Sequence, residues 1–291
     1  LRRAAQYMLM SAAGFALMGA LVKSAGQSSL PVMQIIAARA LVSLVLSYAD
    51  IKRVGVSVWG HNKPLLLARG LVGFLALLCV YYSLVHLPLA EATLLQYTHP
   101  MFTLLIALLA LGEGIRRNTI TCLALSLIGL LLIVSPSLIQ SSPKHSLASL
   151  PIAIALLGAL GSAVAYVIVR KLAATEYSSV IIFYFPLICL PATAVLGWSD
   201  FVWPSGIEWL ILLGVGVFTQ IGQLGLTKGL ALHNAGIVVA FSYVQVPMAV
   251  VLGILFFEEA PNLWVLAGGL CILAGAWINT LNTPSKTLEI R

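Results

Sequence analysis

Two stretches of this chain decide its fold: AEATLLQYTHPMFTLLIALLALGE, residues 90–113, and IVVAFSYVQVPMAVVLGILFFEE, residues 237–259. Each is almost wholly apolar and carries a polar and aromatic cluster near its middle. Each then passes through Pro-Met (Pro100-Met101, Pro247-Met248) and runs on to a glutamate. Inside a bilayer, polar side chains and a mid-segment proline are costly unless they face protein or water. The two stretches therefore read as paired membrane helices that line a pathway.

The rest of the chain has the same character. Hydrophobic residues make up 60% of it and charged residues 9%, with a mean hydropathy of +1.04. A soluble domain carries about 25% charged residues, so no water-exposed surface can be built from this composition. The expected fold class is an all-α polytopic membrane protein. Its 291 residues leave room for about ten spans of roughly 20 residues. The net charge of +7 is assigned to cytoplasmic loops rather than to a nucleic-acid partner. Cys79, Cys122, Cys189 and Cys271 all fall in apolar runs, with neither metal spacing nor an extracellular pairing pattern. Arg2 and Arg3 before an apolar run imitate a secretory signal. That run has the length of a span and no clear cleavage site, so it reads as the first helix.

Ten apolar segments follow in order: 7–25, 31–49, 64–86, 88–112, 118–135, 148–170, 178–197, 207–231, 235–257 and 261–281. Residues 135–146, SPSLIQSSPKHS, are the best linker by composition. With a cytoplasmic N-terminus, thirteen Lys and Arg lie on the inner side, Arg69 among them, and only Lys23 and Lys144 lie outside. That bias puts both termini in the cytoplasm. The halves also repeat. Adding 147 carries Gly14 to Gly161, Lys23 to Arg170, His86 to His233, Pro100 to Pro247 and Met101 to Met248, with a slip of one residue that matches Glu113 to Glu259. The expected units are residues 1–140 and 141–291, five helices each. An odd number of spans puts the copies in opposite orientations, an arrangement that places a substrate near the midplane between them.

Two five-helix copies, each with a Pro-x11/12-Glu stretch, resemble the EamA family of the drug/metabolite transporter superfamily over nearly the whole chain. Residues 87–113, LPLAEATLLQYTHPMFTLLIALLALGE, look most like aromatic amino acid exporters of the YddG type. The second copy departs from the Gly112-Glu113 ending, with Glu258-Glu259 and one residue fewer after its proline. The resemblance implies export of amino acids or similar metabolites across a bacterial cytoplasmic (inner) membrane.

Candidate substrate-binding residues follow from depth. Gln96, Tyr97, His99 and Pro100 lie mid-span, as do Ser242, Tyr243, Gln245 and Pro247, and Thr219, Gln220 and Gln223. Gln96, His99 and Thr103 share a helical face, as do Ser242 with Gln245 and Gln220 with Gln223. These groups are expected to converge on a cavity. The competing reading, helix-to-helix hydrogen bonds of about 0.6–2 kcal/mol each, stands beside it. Phe15, Tyr81, Tyr82, Tyr97, Tyr166 and Tyr243 offer aromatic faces for an apolar side chain or an ammonium. His99 is either a proton carrier or a neutral hydrogen-bond partner. Arg39 sits mid-span, where a charge must face protein or water. As the single cation counted at the midplane, it makes anionic or phosphate substrates the less favoured class. Glu91 is a candidate gate or proton site, and Pro100 and Pro247 are candidate hinges. Gly222-x-x-Gly225-x-x-x-Gly229 and Gly158-x-x-Gly161 allow close helix contact.

No phosphate-cradling glycine loop, nucleophile elbow or metal-ligand set is present. No catalytic residue, cofactor or metal is therefore expected, and a self-contained ATP-driven pump is excluded. The expected function is a secondary transporter exporting amino acids, aromatic and large apolar ones favoured, by alternating access. An exporter of other small metabolites or drugs is the alternative. A channel or a membrane-embedded enzyme is a more distant one. The partners are a small-molecule substrate and the lipid bilayer.

Overall fold

The computed structural model describes residues 1–28, 30–86, 95–114, 116–140, 149–197, 200–257 and 263–281. Among the described residues all regular structure is helical. The helices are α1 (Arg2–Gln27), α2 (Val32–Val54), α3 (Lys63–His86), α4 (His99–Leu111), α5 (Arg117–Gln140), α6 (Ser149–Leu172), α7 (Ser178–Gly197), α8 (Gly206–Leu232), α9 (Ala235–Phe257) and α10 (Leu263–Thr280). Seven of them are long and apolar enough to cross a membrane: α1, α2, α3, α6, α7, α8 and α9. The described apolar parts of α4, α5 and α10 are shorter.

The helix ends agree with the apolar segments except where polar residues continue the helix past the apolar run. α2 runs on through Asp50, Lys52 and Arg53 to Gly55, whose left-handed φ of 78° stops it. The expected linker at 135–146 is corrected in part: its first six residues belong to α5, which extends to Gln140. The remainder of that linker, Glu91 and Glu258-Glu259 lie outside the described residues.

Both quoted stretches are interrupted just before their proline. Turn residues Tyr97 and Thr98 precede α4, and Thr98 Oγ1 donates to the Leu95 carbonyl at 2.6 Å. In α9 the residues Ala240–Val244 wind as a 3-10 helix before Gln245–Phe257 resumes the α-helix. Proline lacks the N–H that would tie it to the preceding turn and crowds that turn sterically. The backbone therefore loosens on its N-terminal side.

The main helix pairings are kept when the first five helices exchange with the second five. α1 lies along α8 as α6 lies along α3. α2 meets α8 as α7 meets α3, and α1 meets α9 as α6 meets α4. α2 packs with α7, and α5 with α10. Glycines carry the closest crossings. A Cβ at Gly14 would stand 2.7 Å from the Gly222 amide, and one at the equivalent Gly161 would stand 3.0 Å from the Ala76 Cβ. Between α5 and α10, Gly129 faces the Gly268 carbonyl and Gly275 faces the Cys122 carbonyl, so these two helices run antiparallel.

Candidate functional site

Eight helices enclose a cavity of about 370 Å³, and α5 and α10 stay outside it. Phe15, Met18 and Val22 line it from α1, and Ala76, Leu77 and Val80 from α3. Gln96, Tyr97 and His99 reach it from the turn before α4 and its start. Ser162 and Tyr166 come from α6, Phe185 from α7, Gln223 from α8 and Gln245 from α9. Arg39 of α2 and Arg69 of α3 complete the wall. Pockets of about 300–1,000 Å³ hold small organic ligands. The polar lining separates this hollow from a second one of about 280 Å³ between α2, α7 and α8, which is almost wholly apolar.

The broken start of α4 positions the first group. The His99 ring lies edge-on to Tyr166 at 5.3 Å between centroids and stacks with Tyr97 at 6.2 Å. Thr103 Oγ1 donates to the His99 carbonyl at 2.8 Å and steadies this turn. Gln96 Nε2 donates to Ser162 Oγ at 3.3 Å, while Gln96 Oε1 and His99 Nδ1 are buried without a hydrogen-bond partner among the described residues. A buried polar atom left in that state is costly. Together these atoms form a row of unused donor and acceptor capacity along a rim of aromatic faces.

The structure places Phe15, Arg39, Gln96, Tyr97, His99, Tyr166, Gln223 and Gln245 around the cavity. Four expected members, Gln220, Tyr243, Ser242 and Tyr82, do not line it. Gln220 is held by α2 instead: Ser43 Oγ donates to its Oε1 at 2.5 Å and its Nε2 donates to Ser47 Oγ at 2.9 Å. Tyr243 is fully buried, stacks on Tyr97 and donates its hydroxyl to the Tyr97 carbonyl at 2.6 Å, as a strut behind the wall. Ser242 is half-buried beside it, away from the lining. Tyr82 also lies off the lining, and the side chain of Tyr81 is outside the described set. Pro100 and Pro247 sit in the first turn after each helix break and do not line the cavity.

Arg69 is the main residue that sequence reasoning misassigned. Six positions after Lys63, it counted as an inner-side loop cation, yet it is 5% exposed and faces the cavity. Glycines make room for it. Gly70 packs on the α7 backbone at Tyr184, and a Cβ at Gly73 would stand 3.2 Å from the Phe185 ring and 3.3 Å from Arg69 Nη1. Phe185 and Ser162 were also missed. A glycine at position 73, one turn beyond an arginine, was the available signal.

One helical turn beyond Tyr166, Arg170 of α6 is tied to Glu113 at the end of α4. Gly112, at φ 63°, ends α4, and the Glu113 N–H closes back on the Ala107 carbonyl at 3.3 Å. This turn aims the Glu113 carboxylate at α6 and α9. It accepts from Arg170 Nε at 2.9 Å and from the Ala235 N–H at 2.6 Å. Arg170 Nη1 donates in turn to the Leu230 and Ala231 carbonyls at 2.8 and 3.1 Å. An anion therefore caps the start of α9 and a cation caps the end of α8, each at the favourable pole of its helix. Beside them, His233 accepts the Asn234 N–H on Nδ1 at 2.9 Å. Burial, with Arg116 and Arg170 nearby, pushes its pKa down to about 4. A hollow of about 180 Å³ shares Phe15, Gly19 and Gln245 with the cavity and continues to Lys23 and Phe257. There the Lys23 ammonium lies 4.4 Å from the centre of the Phe257 ring.

The sequence matches the EamA-like transporter family twice, over residues 2–135 and 149–281. The pseudopaline exporter CntI of Pseudomonas aeruginosa (strain UCBPP-PA14) is 35% identical over 260 residues, covering 89% of each chain. The riboflavin transporter of Vibrio cholerae is 25% identical and covers 98% of this chain and 95% of its own. A solved crystal structure superposes with a TM-score of 0.78 at 21% identity, covering 95% of this chain and 96% of the other.

Proposed function

The chain belongs to the EamA-like transporter family and is a multi-pass membrane transporter, not an enzyme; from that premise we propose that it is a secondary carrier exporting a small metabolite across a bacterial cytoplasmic membrane by alternating access. One observation carries the reading. A polar and aromatic cavity is shared by eight helices and continued by a hollow toward Lys23, and in our reading the Glu113–Arg170 ion pair closes the opposite end. Such a site, opened first at one end and then at the other, needs no chemistry beyond binding.

The two halves are read as inverted copies. A twofold axis along the helices would keep an exchanged pair parallel, and one across them makes the pair antiparallel. The exchanged pair α5 and α10 is antiparallel, which favours the second case and the inverted repeats of carriers. In this reading α4, α5 and α10 also cross the membrane, giving ten spans. With Arg69 moved to the cavity, the inner side keeps twelve cations against two outside. That balance favours cytoplasmic termini and puts the Glu113–Arg170 bridge on the inner side.

Amino acids with aromatic or large apolar side chains suit this cavity: Gln96, Gln223, Gln245 and Ser162 meet polar backbone atoms, while Phe15, Tyr97 and Tyr166 hold the side chain. A wider metabolite class is the second reading, favoured by relatives named for pseudopaline and riboflavin. The test is efflux from proteoliposomes loaded with phenylalanine, methionine or riboflavin, with counterflow. Saturable, protein-dependent efflux stimulated by substrate on the far side is expected. Flux of none of them, or unsaturable flux at channel rates, would contradict the carrier.

A further inference from the structure

Two arginines share one aromatic ring inside the cavity. Arg39 and Arg69 are 8% and 5% exposed. Their guanidinium carbons lie 5.7 and 5.1 Å from the centre of the Phe185 ring. Like charges repel in a low-dielectric site, and each is costly to strip of water. Inside a membrane such charges mark a functional site with a partner of opposite sign. Among the described residues that partner is missing. The described lining holds no Asp or Glu. Arg69 uses Nη2 on Gln223 Oε1 at 3.2 Å, while its Nε and Nη1 have no partner. Arg39 makes its ring contact with Phe185 and no hydrogen bond among the described residues. Gly73 keeps the space beside Arg69 Nη1 open. Neither arginine has a counterpart in the second half, where the offset of 147 gives Pro186 and Gly216. The pair therefore is not a product of the repeat and lies to one side of it.

We infer that Arg39 and Arg69 bind the oxyanionic groups of the transported solute, a net-anionic organic molecule with two negative charges on carboxylate or phosphate beside an apolar or aromatic body. This deepens the carrier reading and rests on it. Guanidinium is the side chain best matched to such groups. Phe185 attracts both cations through its ring and supplies no oxygen acceptor to their N–H groups. The aromatic faces of Tyr97, Tyr166 and Phe15 take the body. Phenylalanine, with one carboxylate and one ammonium, satisfies half of this site and brings a third cation into it.

The test is a charge series on one scaffold, measured by calorimetry on the purified full chain at pH 7. The probes are phenylsuccinate, phenyl phosphate, phenylacetate, phenylalanine and phenethylamine. At least one dianion is expected to bind tenfold or more tighter than phenylalanine, with added salt weakening it, and phenethylamine is expected not to bind. The order of phenylsuccinate and phenyl phosphate tells carboxylate from phosphate. Arg39→Gln and Arg69→Gln should each weaken the better dianion at least tenfold, and Arg69→Lys less. If the glutamine variants do not fold, Arg69→Lys and the wild-type salt series carry the test. Phenylalanine binding as tightly as both dianions, no dianion binding, or indifference to both substitutions overturns the inference. Efflux of any compound from proteoliposomes upholds the carrier reading whatever the order, so the two can fail separately.

Discussion

Replacing Glu113 by glutamine keeps the shape of the Glu113–Arg170 bridge and removes its charge. The carboxylate holds Arg170 Nε at 2.9 Å and the Ala235 N–H at 2.6 Å. A hydrogen bond to a charged group contributes about 1.5–3 kcal/mol, and an exposed ion pair about 0–1 kcal/mol. Side-chain exposures of 20% for Arg170 and 12% for Glu113 put this bridge between those limits. The amide oxygen of the substituted glutamine keeps one of the two bonds, and Arg170 keeps the Leu230 and Ala231 carbonyls. A closed state held by this bridge should therefore lose about 1–2 kcal/mol, or roughly 5–30-fold in the ratio of open to closed. The reporter is Ser162→Cys in a chain whose four native cysteines are replaced by alanine, since Ser162 lines the cavity. A membrane-impermeant maleimide applied from the Glu113 side should label it about 5–30 times faster in the Glu113→Gln carrier. Equal labelling rates in the parent, Glu113→Gln and Arg170→Gln would refute the bridge as a gate.

Gly225→Ala should destabilise the α1–α8 crossing by about 1–3 kcal/mol, because its Cβ would stand 2.5 Å from the Tyr7 carbonyl. Gly19→Ala meets open space and should leave the melting temperature in detergent unchanged or slightly raised; equal melting of the two variants would contradict the packing. His233 has a folded pKa near 4, below its ordinary 6.5, so the folded state disfavours its proton. Its contribution to stability should be complete above pH 6.5 and lost as pH falls toward 4. His233→Gln should flatten that part of a melting-temperature profile, and an unchanged profile would count against the assignment.

The helices were legible because the bilayer imposes them: apolar runs of span length with prolines near their starts allow little else. The helix breaks were legible from Pro100 and Pro247, although each falls before the proline, at Tyr97-Thr98 and at Ala240–Val244, on the side where the lost N–H and the crowding act. Side-chain direction was harder to read. Gln220 and Gln223 share a face by spacing, yet α8 is surrounded by several helices. Gln220 meets the serines of α2, and Gln223 meets Arg69 of α3. Three residues along a helix still turn about 60°, enough to change the neighbour. Arg69 was hidden by its nearness to Lys63, which made a cavity cation look like part of a basic helix end. The Gly-Glu ending of the first stretch was visible as a motif, but its purpose needed the fold. Gly112 supplies the left-handed turn that sends Glu113 to Arg170 and α9.

The central claim is that one cavity opens to the two membrane faces in turn. Spin labels at Gly114 and Lys171 report the Glu113–Arg170 end, and labels at Gly26 and Phe256 report the Lys23 end. Pulsed dipolar distances taken with and without a transported substrate should change in opposite senses, one pair lengthening as the other shortens. Distances that stay fixed under turnover, or that lengthen together at both ends, would contradict the account.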